Sequence, residues 1–289
     1  MFFIFLKIQQ INCEYFWGRN TSLISLNHLK FCKRYLYLLS KTDRKRFITC
    51  HFGTVKEEEE CTLMSHLAPA LSEHIIKRTK RLNTTLISDA MGCTGSMDYK
   101  IKPVSPGMKV VGTALTVSLR PGDNLFLHQA IYDGTEGYVL VADGKGHTAN
   151  AYLGELMAAA AKAMGIEGII IDGAVRDKET LSQSEFPIFS KGFIPNGPLK
   201  DGPGELHKPI SCGGVAVIPG DLIIGDDDGV VVVPNEKVEE VLSKAEKKLE
   251  YEKTRLETIE AFEKALLQGE AGGNIQPSWL REQMKAYGL

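Results

Sequence analysis

Beyond its N-terminal quarter, the chain alternates between short apolar runs and stretches in which apolar residues recur every three or four positions. Apolar runs without polar alternation are typical of strands buried on both faces, and the recurrence is typical of amphipathic helices. The runs predict strands over residues 108–119, 137–144 and 168–173. Two helices are predicted before the first strand, and Asn83 or Thr84 is the expected N-cap of the second.

Helices are also predicted between these strands. One covers residues 122–133, with Asp123 near its start, and the next covers 149–165, where Gly165 could end it. One face of this second helix carries small and apolar residues at Ala149, Leu153, Leu156, Ala160 and Ala163. Two unbroken apolar strands joined by such a helix predict a βαβ unit in a parallel sheet covered on both faces.

The C-terminal part differs from this alternation. Residues 212–234 are rich in Val and Ile and predict short strands, with turns at 219–221 and 228–229. Residues 235–267 are dense in charge and predict one long amphipathic helix. Such a helix could dock on a neighbouring subunit, or it could be a solvated helix stabilised by Glu–Lys pairs one turn apart.

The N-terminal segment has a different composition. Residues 1–55 contain nine Lys and Arg but two acidic residues, and they show no clear periodicity. The opening apolar stretch is broken at Lys7, so it is shorter than the roughly 7 to 15 residues of a signal-peptide core. We expect residues 1–60 to be a poorly ordered basic extension, with an organelle transit peptide as the alternative, and residues 61–289 to form a single catalytic domain.

Composition excludes several classes of protein. A net charge of −2 gives no basic field for nucleic acid, and no apolar run reaches the roughly 18 residues of a membrane helix. The cysteines form no CxxC pair and the histidines no HExxH motif, so zinc and disulfide frameworks are not indicated, and Cys93 and Cys212 are interpreted as packing residues. We expect a cytoplasmic protein that binds neither nucleic acid nor membrane. Composition does not exclude the binding of a small anionic ligand.

Charged residues follow the βαβ unit at one edge of the predicted sheet. Both strands end in Asp-Gly, at 143–144 and 172–173, and the ends of parallel strands meet at the same edge, where ligands bind in open α/β sheets. Arg176, Asp177 and Glu155 are therefore candidates to face one pocket. Alternatively, Asp177 caps the helix that follows it, and Glu155 is only a polar position on a helix edge.

Other motifs carry less information. The glycines before Gly154 do not have the GxGxxG spacing, so dinucleotide binding is not indicated. The acidic residues at 225–229 lack the alternating ligands of a calcium loop and predict a charged hairpin turn. Lys145 and His147 could contact an anion or simply be exposed to solvent.

Several segments resemble one family in order and spacing: the regulator of ribonuclease activity A and 4-hydroxy-4-methyl-2-oxoglutarate aldolase family. The similarity runs from about residue 70 to about residue 260 and rests on LISDAMG, GTALTV, ADGKGHTANAYLGELMAAAAKAMGIEGIIIDGAVRD, FPIFSKG and GGVAVIPGDLIIGDDDGVVVVP. The resemblance implies a layered α/β/α swivelling-type domain with a βαβ parallel unit, a β-rich C-terminal part and a long C-terminal helix. It also implies a homotrimer, or a hexamer, with active sites between subunits.

The resemblance further implies roles for the charged residues. In the aldolase branch, Asp177 would hold a divalent metal, Mg²⁺ or Mn²⁺, and Arg176 would lie over the keto acid and stabilise negative charge on its oxygen. The backbone N–H groups of Leu156 and Met157, which follow Gly154, would bind the substrate carboxylate.

Two acidic residues complete this implied site. The aldolase motif has an acidic residue, twenty intervening positions and then Arg-Asp, which matches Glu155 and Arg176 here. Glu155 would orient metal-bound water. A glutamate on the C-terminal helix of the adjacent subunit would complete the water shell, and Glu252 is the best match, with Glu250 and Glu257 as alternatives.

The implied activity is that of a carbon–carbon lyase. We expect a metal-dependent aldolase that cleaves 4-hydroxy-4-methyl-2-oxoglutarate, or a related 4-hydroxy-2-oxo acid, to pyruvate, with oxaloacetate decarboxylase activity. In both reactions charge builds on the C2 oxygen as a carbon–carbon bond breaks, and a metal together with a fixed guanidinium suits that need. The alternative is a binding protein that regulates a ribonuclease without catalysis.

Overall fold

A computed structural model of the chain describes residues 67–288. The predicted basic extension over residues 1–60 lies outside the described residues, so the expected division into an extension and a domain over 61–289 stays a prediction. No helix within the described part is long and apolar enough to cross a membrane.

Helices and strands alternate between residues 110 and 190. The helices are α1 (Glu73–Thr79), α2 (Thr84–Ala90), α3 (Leu125–Asp133), α4 (Glu155–Met164), α5 (Lys178–Gln183), α6 (Val238–Leu267) and α7 (Ser278–Lys285). The strands are β1 (Lys102–Pro103), β2 (Val110–Leu119), β3 (Tyr138–Ala151), β4 (Gly168–Val175), β5 (Ile188–Ser190), β6 (Gly192–Phe193), β7 (Gly204–Leu206), β8 (Ile210–Cys212), β9 (Val215–Val217), β10 (Leu222–Asp226) and β11 (Gly229–Val233).

A mixed sheet forms the centre of the domain. Its main path has the order β1-β5-β4-β3-β2-β10-β11, with β6 added beside β4 and β7 beside β2. Strands β2, β3, β4 and β5 are parallel, and Leu115, Leu140 and Ile169 lie side by side across the first three. Helix α4 joins β3 to β4, so the predicted βαβ unit is confirmed, and with it the α/β class, the β-rich C-terminal part and the long C-terminal helix.

Both faces of the parallel strands are covered, as their unbroken apolar sequences predict. Side chains of successive strand residues point to opposite faces. Leu115 and Leu140 pack on one face against α3 and α4, while Ala114 and Val139 pack on the other against the β8–β9 hairpin. Because neither face of the parallel strands contacts water, the strand positions that point to each face must both be apolar.

A third cluster of buried residues lies under α1, α2 and α6 at the β10–β11 end of the sheet. Asn83 caps α2, since its side-chain oxygen accepts a bond from the N–H of Leu86 at 2.9 Å, as predicted. Helix α6 buries Val238 and Ala245 near its start, whereas Leu256, farther along, is 59% exposed. Within the described part of the chain, the buried side chains of this 30-residue helix all lie in its first eight positions, Val238 to Ala245.

The predicted start of the helix between β3 and β4 is wrong. The sequence pattern places it at Ala149, but β3 continues in an irregular form to Ala151 and α4 begins at Glu155. The N–H of Ala151 donates to the carbonyl of Asn196, and the N–H of Tyr152 donates to the carbonyl of Ala174. These long-range backbone bonds hold the segment extended, so its helical spacing of small residues has no effect before Glu155.

The Asp-Gly pairs at 143–144 and 172–173 lie within β3 and β4, not at the ends of the strands as the sequence pattern predicts, and they make room for one buried aromatic ring. A Cβ atom on Gly144 would lie 2.7 Å from the ring of Tyr152, and one on Gly173 would lie 2.5 Å from it. The Tyr152 hydroxyl donates to the carbonyl of Gly144 at 2.7 Å and accepts from the N–H of Gly122 at 3.0 Å. Tyr152 thus joins three chain segments at the edge where the charged residues lie, and burial raises its pKa.

We predict that Gly173→Ala lowers the free energy of unfolding by about 1–3 kcal/mol or more, since its methyl group would overpack the Tyr152 ring. Urea denaturation measures this. The control is Gly273→Ala, because a Cβ atom there meets no atom within 4 Å, and its effect should stay within about 0.5 kcal/mol. Equal stability of the two variants would contradict the packing of Tyr152 against this glycine.

Candidate functional site

Arg176 and Asp177 lie directly after β4, where the chain turns sharply. We call this turn the corner. Asp177 has φ 61° and ψ 45°, the left-handed region that residues other than glycine enter at a cost, although Asp does so more readily than most. The N–H of Arg176 donates to the carbonyl of Leu153 at 3.0 Å, which ties this corner to the segment before α4. The corner therefore depends on a contact between the two halves of the βαβ unit.

The carboxylate of Asp177 caps α4 rather than the helix that follows it. Asp177 occupies the N-cap position of α5 but makes no side-chain capping bond there. Its Oδ2 instead accepts a hydrogen bond from the N–H of Glu155, the first residue of α4, at 2.9 Å. The alternative in which Asp177 serves α5 is thus not what the structure shows. Its other oxygen, Oδ1, has no hydrogen-bond partner among residues 67–288.

The residue at position 154 must be glycine, because any side chain there would clash with the Arg-Asp pair. A Cβ atom on Gly154 would overlap Asp177 Oδ2 and would lie 3.0 Å from Cγ and 3.1 Å from Nε of Arg176. Its φ of −141° is ordinary for any residue. The small residue before Glu155 therefore allows the Arg-Asp pair to lie directly on the start of α4.

Free backbone donors face this same point. The first N–H groups of a helix have no partner within it, and the partial positive charge of the helix end adds to their attraction for anions. Glu155 N–H is used by Asp177, whereas the N–H groups of Leu156 and Met157 have no acceptor in the described part of the chain. These two donors suit a carboxylate. The N–H groups that the family resemblance implies for substrate binding therefore lie beside the Arg-Asp pair.

The charged side chains of the site are open to solvent. The side chains of Arg176 and Asp177 are 45% and 40% exposed, and Arg176 Nε lies 3.9 Å from Asp177 Oδ2, which is too long for a hydrogen bond. Glu155 is also exposed. No residue in the range 67–288 forms a tight ion pair with any of the three, so all are open to a bound ligand.

The donor set fits a hard divalent cation. Mg²⁺ prefers octahedral oxygen coordination and keeps several waters, so one or two carboxylates are enough. Asp177 offers a carboxylate with a free oxygen, next to the acidic Glu155. No group of three or more His, Cys, Asp or Glu placed to hold a metal occurs among the described residues. A metal here would therefore rely on Asp177 and water, as the family resemblance implies.

A shallow apolar groove of about 120 Å³ adjoins the free donors of α4. It lies between α3 and α4 and is lined by His128, Ile131, Tyr132, Leu156, Met157 and Ala160. Leu156 is 84% exposed. Burial, and to a smaller extent the charge of Lys200, lowers the pKa of His128.

A larger cavity, of about 430 Å³, lies elsewhere. Its walls include Lys109 and Glu167, which precede β2 and β4. The Arg-Asp pair follows the other end of β4, eight residues or roughly 25 Å away. This cavity is therefore not part of the candidate site.

Asp123 is a residue whose role the sequence pattern did not reveal. Its buried carboxylate accepts bonds from the N–H groups of Leu125, Asp201 and Gly202 at 2.9, 2.6 and 2.9 Å. Burial alone would raise its pKa, but these three donors lower it below its usual value. Asp123 therefore holds the loop before β7 against the start of α3. The sequence signal for this role is no more than an acidic residue near a helix start.

Glu252 does not reach this site within its own chain through any described contact. It lies on α6, which packs against α1 and α2, and its carboxylate is 4.0 Å from Lys248. Glu250 pairs with Lys253 at 3.4 Å, and Glu257 is exposed. The role implied for one of these glutamates, on an adjacent subunit, stays a prediction.

The remaining sequence motifs have structural roles or none. The acidic residues at 225–229 form the β10–β11 turn, as predicted, and Asp226 accepts bonds from the N–H and hydroxyl of Thr84 at 2.9 and 2.6 Å. Lys145 forms an ion pair with Asp143, so its ammonium group already has an anionic partner. Cys212 is buried, and burial raises the pKa of its thiol well above the usual range, as befits a packing residue.

Comparison with known proteins defines the class. A family model described as "RraA-like: Aldolase/RraA" matches residues 84–232, about half of the chain, which include both the Arg-Asp pair and the start of α4. The chain belongs to this RraA-like family.

Individual relatives point to both branches of the family. A Halalkalibacterium halodurans protein named "Putative 4-hydroxy-4-methyl-2-oxoglutarate aldolase" is 43% identical over 173 residues, which is 60% of this chain and 82% of that protein. The structure is similar to that of an uncharacterized protein from Pseudomonas syringae, with a TM-score of 0.61, 27% identity and coverage of 75% and 95% of the two chains. It is also similar to Streptomyces coelicolor RraAS2, described as an unusual member of the RNase ES inhibitor RraA protein family, with a TM-score of 0.57, 25% identity and coverage of 63% and 96%.

We predict that Asp123→Asn lowers the free energy of unfolding by about 1–3 kcal/mol at pH 7, since a charged acceptor of three N–H bonds is lost. The pKa of Asp123 is lowered on folding, so its contribution is complete above the unfolded value of about 3.9 and is lost as the pH falls through the folded value. Urea denaturation across this range should show the difference from wild type shrinking in acid. Asp201→Asn, an exposed carboxylate in the same loop, is the control. A difference that does not change with pH would contradict the assignment.

Proposed function

We propose that the protein is a divalent-metal-dependent aldolase that cleaves 4-hydroxy-4-methyl-2-oxoglutarate, or a related 4-hydroxy-2-oxo acid, to pyruvate, and that it also decarboxylates oxaloacetate. The observation that carries the proposal is the convergence of a solvent-open Arg-Asp pair with two free N–H donors at the start of α4. The aldolase name of the relative that is 43% identical supports the same reaction.

The substrate would be held through its carboxylate and its C2 oxygen. The N–H groups of Leu156 and Met157 bind the carboxylate, because a helix start offers unpaired donors and partial positive charge. The guanidinium of Arg176 lies over the C2 oxygen and stabilises the negative charge that builds on it. A planar group with several donors suits this task better than an ammonium group.

The bond changes are the same in kind for both substrates. In the aldol substrate, the C4 hydroxyl loses its proton, a carbonyl forms at C4, and the electrons of the broken C3–C4 bond move to the C2 oxygen as the pyruvate enolate. In oxaloacetate, the C4 carboxylate leaves as carbon dioxide and the same enolate remains. A proton then adds to C3. Glu155 is the exposed carboxylate placed to handle these protons through water.

Asp177 would hold the metal, Mg²⁺ or Mn²⁺. When bound, a divalent metal supplies Lewis-acid polarisation of the keto oxygen, worth several kcal/mol of charge stabilisation. The capping bond uses only Oδ2 of Asp177, so Oδ1 is available as the protein ligand.

A second copy of the chain would complete the site. We propose that Glu252 of an adjacent subunit joins the site in a homotrimer or hexamer, with Glu250 and Glu257 as alternatives. The long exposed part of α6 supports this, since it carries Leu256 and other large apolar residues to solvent. Light scattering of the purified protein should give the mass of three or six chains, and a monomer would rule out this contribution.

The second candidate function is binding and regulation of a ribonuclease without catalysis. The observation in its favour is the similarity to RraAS2, described as belonging to an RNase ES inhibitor family. It requires neither a metal nor the free donors of α4, so the same measurement separates the two functions.

We predict EDTA-sensitive release of pyruvate from both 4-hydroxy-4-methyl-2-oxoglutarate and oxaloacetate, restored by added Mg²⁺ or Mn²⁺. Asp177→Asn should lower this rate by more than about 100-fold, because an amide is a poor metal ligand. The control is Glu179→Gln, which removes an exposed carboxylate from the first turn of α5 and should retain activity. Absence of metal-dependent pyruvate release from the wild-type protein would reject the aldolase and favour the regulator.

A further inference from the structure

The side chain of Arg176 lies close to two glycines and is held by no hydrogen bond within the described residues. Its side chain donates no hydrogen bond to any residue in the range 67–288, and Asp177 is 3.9 Å away. Cβ atoms would meet it at two glycines: at Gly154, 3.0 Å from Cγ and 3.1 Å from Nε, and at Gly197, 3.3 Å from Nη1. We call the space between these two glycines the arginine slot.

One wall of the arginine slot is rigid, and the other lies in a loop. Gly154 precedes α4 and is held by the corner described above, whereas Gly197 lies between β6 and β7. The side chain of Asn150 donates from Nδ2 to the carbonyl oxygen of Gly197 at 2.7 Å. This bond fixes the position of the second wall relative to β3, which carries Asn150.

His147 in turn holds Asn150. The Gly197 carbonyl can only accept, so the amide nitrogen of Asn150 must face it and the amide oxygen must face His147. His147 Nε2 lies 3.1 Å from Asn150 Oδ1 and must therefore be the protonated nitrogen of the ring. The irregular end of β3 thus supplies a chain of two side chains that ends at the wall of the arginine slot.

We propose that Asn150 is a positioning residue for Arg176: through Gly197, it sets the width of the slot and hence the direction of the guanidinium. The proposal rests on the proposed function, in which that guanidinium stabilises the enolate. This proposal gives a role to residues 144–150, GKGHTAN. These residues form no described hydrogen bond with the start of α4.

The chain offers a matched control on the same loop. Asn196 Nδ2 donates to the carbonyl of Ala149 at 3.0 Å, so it also ties the loop to β3, but it does not hold Gly197. Asn150→Ala and Asn196→Ala each remove one such tie. A merely structural role for Asn150 predicts equal effects of the two substitutions.

We expect Asn150→Ala to lower kcat for pyruvate release by about ten- to a hundredfold, the effect of misplacing a reacting group by up to 1 Å. Asn196→Ala should stay within about twofold of wild type. In an Arg176→Lys background, where the guanidinium is absent, Asn150→Ala should cost no more than about twofold. Equal losses in the two single variants, or the full loss in the Arg176→Lys background, would overturn the proposal.

A second measurement does not depend on activity. The NMR signal of the Arg176 Nε–Hε group in the full-length protein labelled with ¹⁵N-arginine is assigned by its loss in Arg176→Lys. It should shift in Asn150→Ala, and also in Gly197→Ala, whose methyl group would press on Nη1, but not in Asn196→Ala. An unchanged signal in both Asn150→Ala and Gly197→Ala would overturn the proposal. If wild-type protein releases no pyruvate, the proposed aldolase fails, and this signal still decides whether Asn150 positions Arg176.

Discussion

The hydrogen bond from the N–H of Glu155 to the carboxylate of Asp177 is the interaction on which the candidate site depends. It joins the end of β4 to the start of α4, two points 22 positions apart in the chain. One carboxylate oxygen is used for this cap, and the backbone of Asp177 is held in the left-handed region. The bond therefore couples the shape of the corner to the direction in which the free oxygen and the neighbouring guanidinium point.

Glycine and one tyrosine make that corner possible. Gly154 leaves room for the Arg-Asp pair, and Gly144 and Gly173 leave room for the buried ring of Tyr152 beneath it. In each case the glycine is required because another group approaches its α-carbon closely. The hydroxyl of Tyr152 then satisfies a backbone carbonyl of β3 and a backbone N–H of the loop before α3. The rigid part of the site is thus built by close packing around backbone atoms, while its charged groups stay open to solvent.

The same architecture can serve both branches of the family to which the chain belongs. The corner brings together a carboxylate oxygen, backbone N–H groups and a guanidinium that have no hydrogen-bond partner among residues 67–288. These groups meet where the end of β4 contacts the start of α4. These exposed groups are the ones that the proposed aldolase reaction would use.

Local sequence patterns are sufficient to predict the βαβ unit, the edge at which its charged residues meet and the long C-terminal helix. These follow from local patterns: unbroken apolar runs, a helical period and the rule that parallel strands end on one side. The resemblance to a known family added the functional interpretation of Arg176 and Asp177.

Which helix Asp177 caps, where α4 begins and which glycines flank Arg176 depend on contacts that only the folded chain shows. The sequence pattern predicts too early a start for α4, because the N–H groups of Ala151 and Tyr152 donate to the carbonyls of Asn196 and Ala174 and hold these residues extended against their helical spacing. The arginine slot joins Gly154 to Gly197, 43 positions later, and no local pattern relates the two. Contacts between distant segments depend on how loops pack over the sheet, and that information is absent from the period of any one segment.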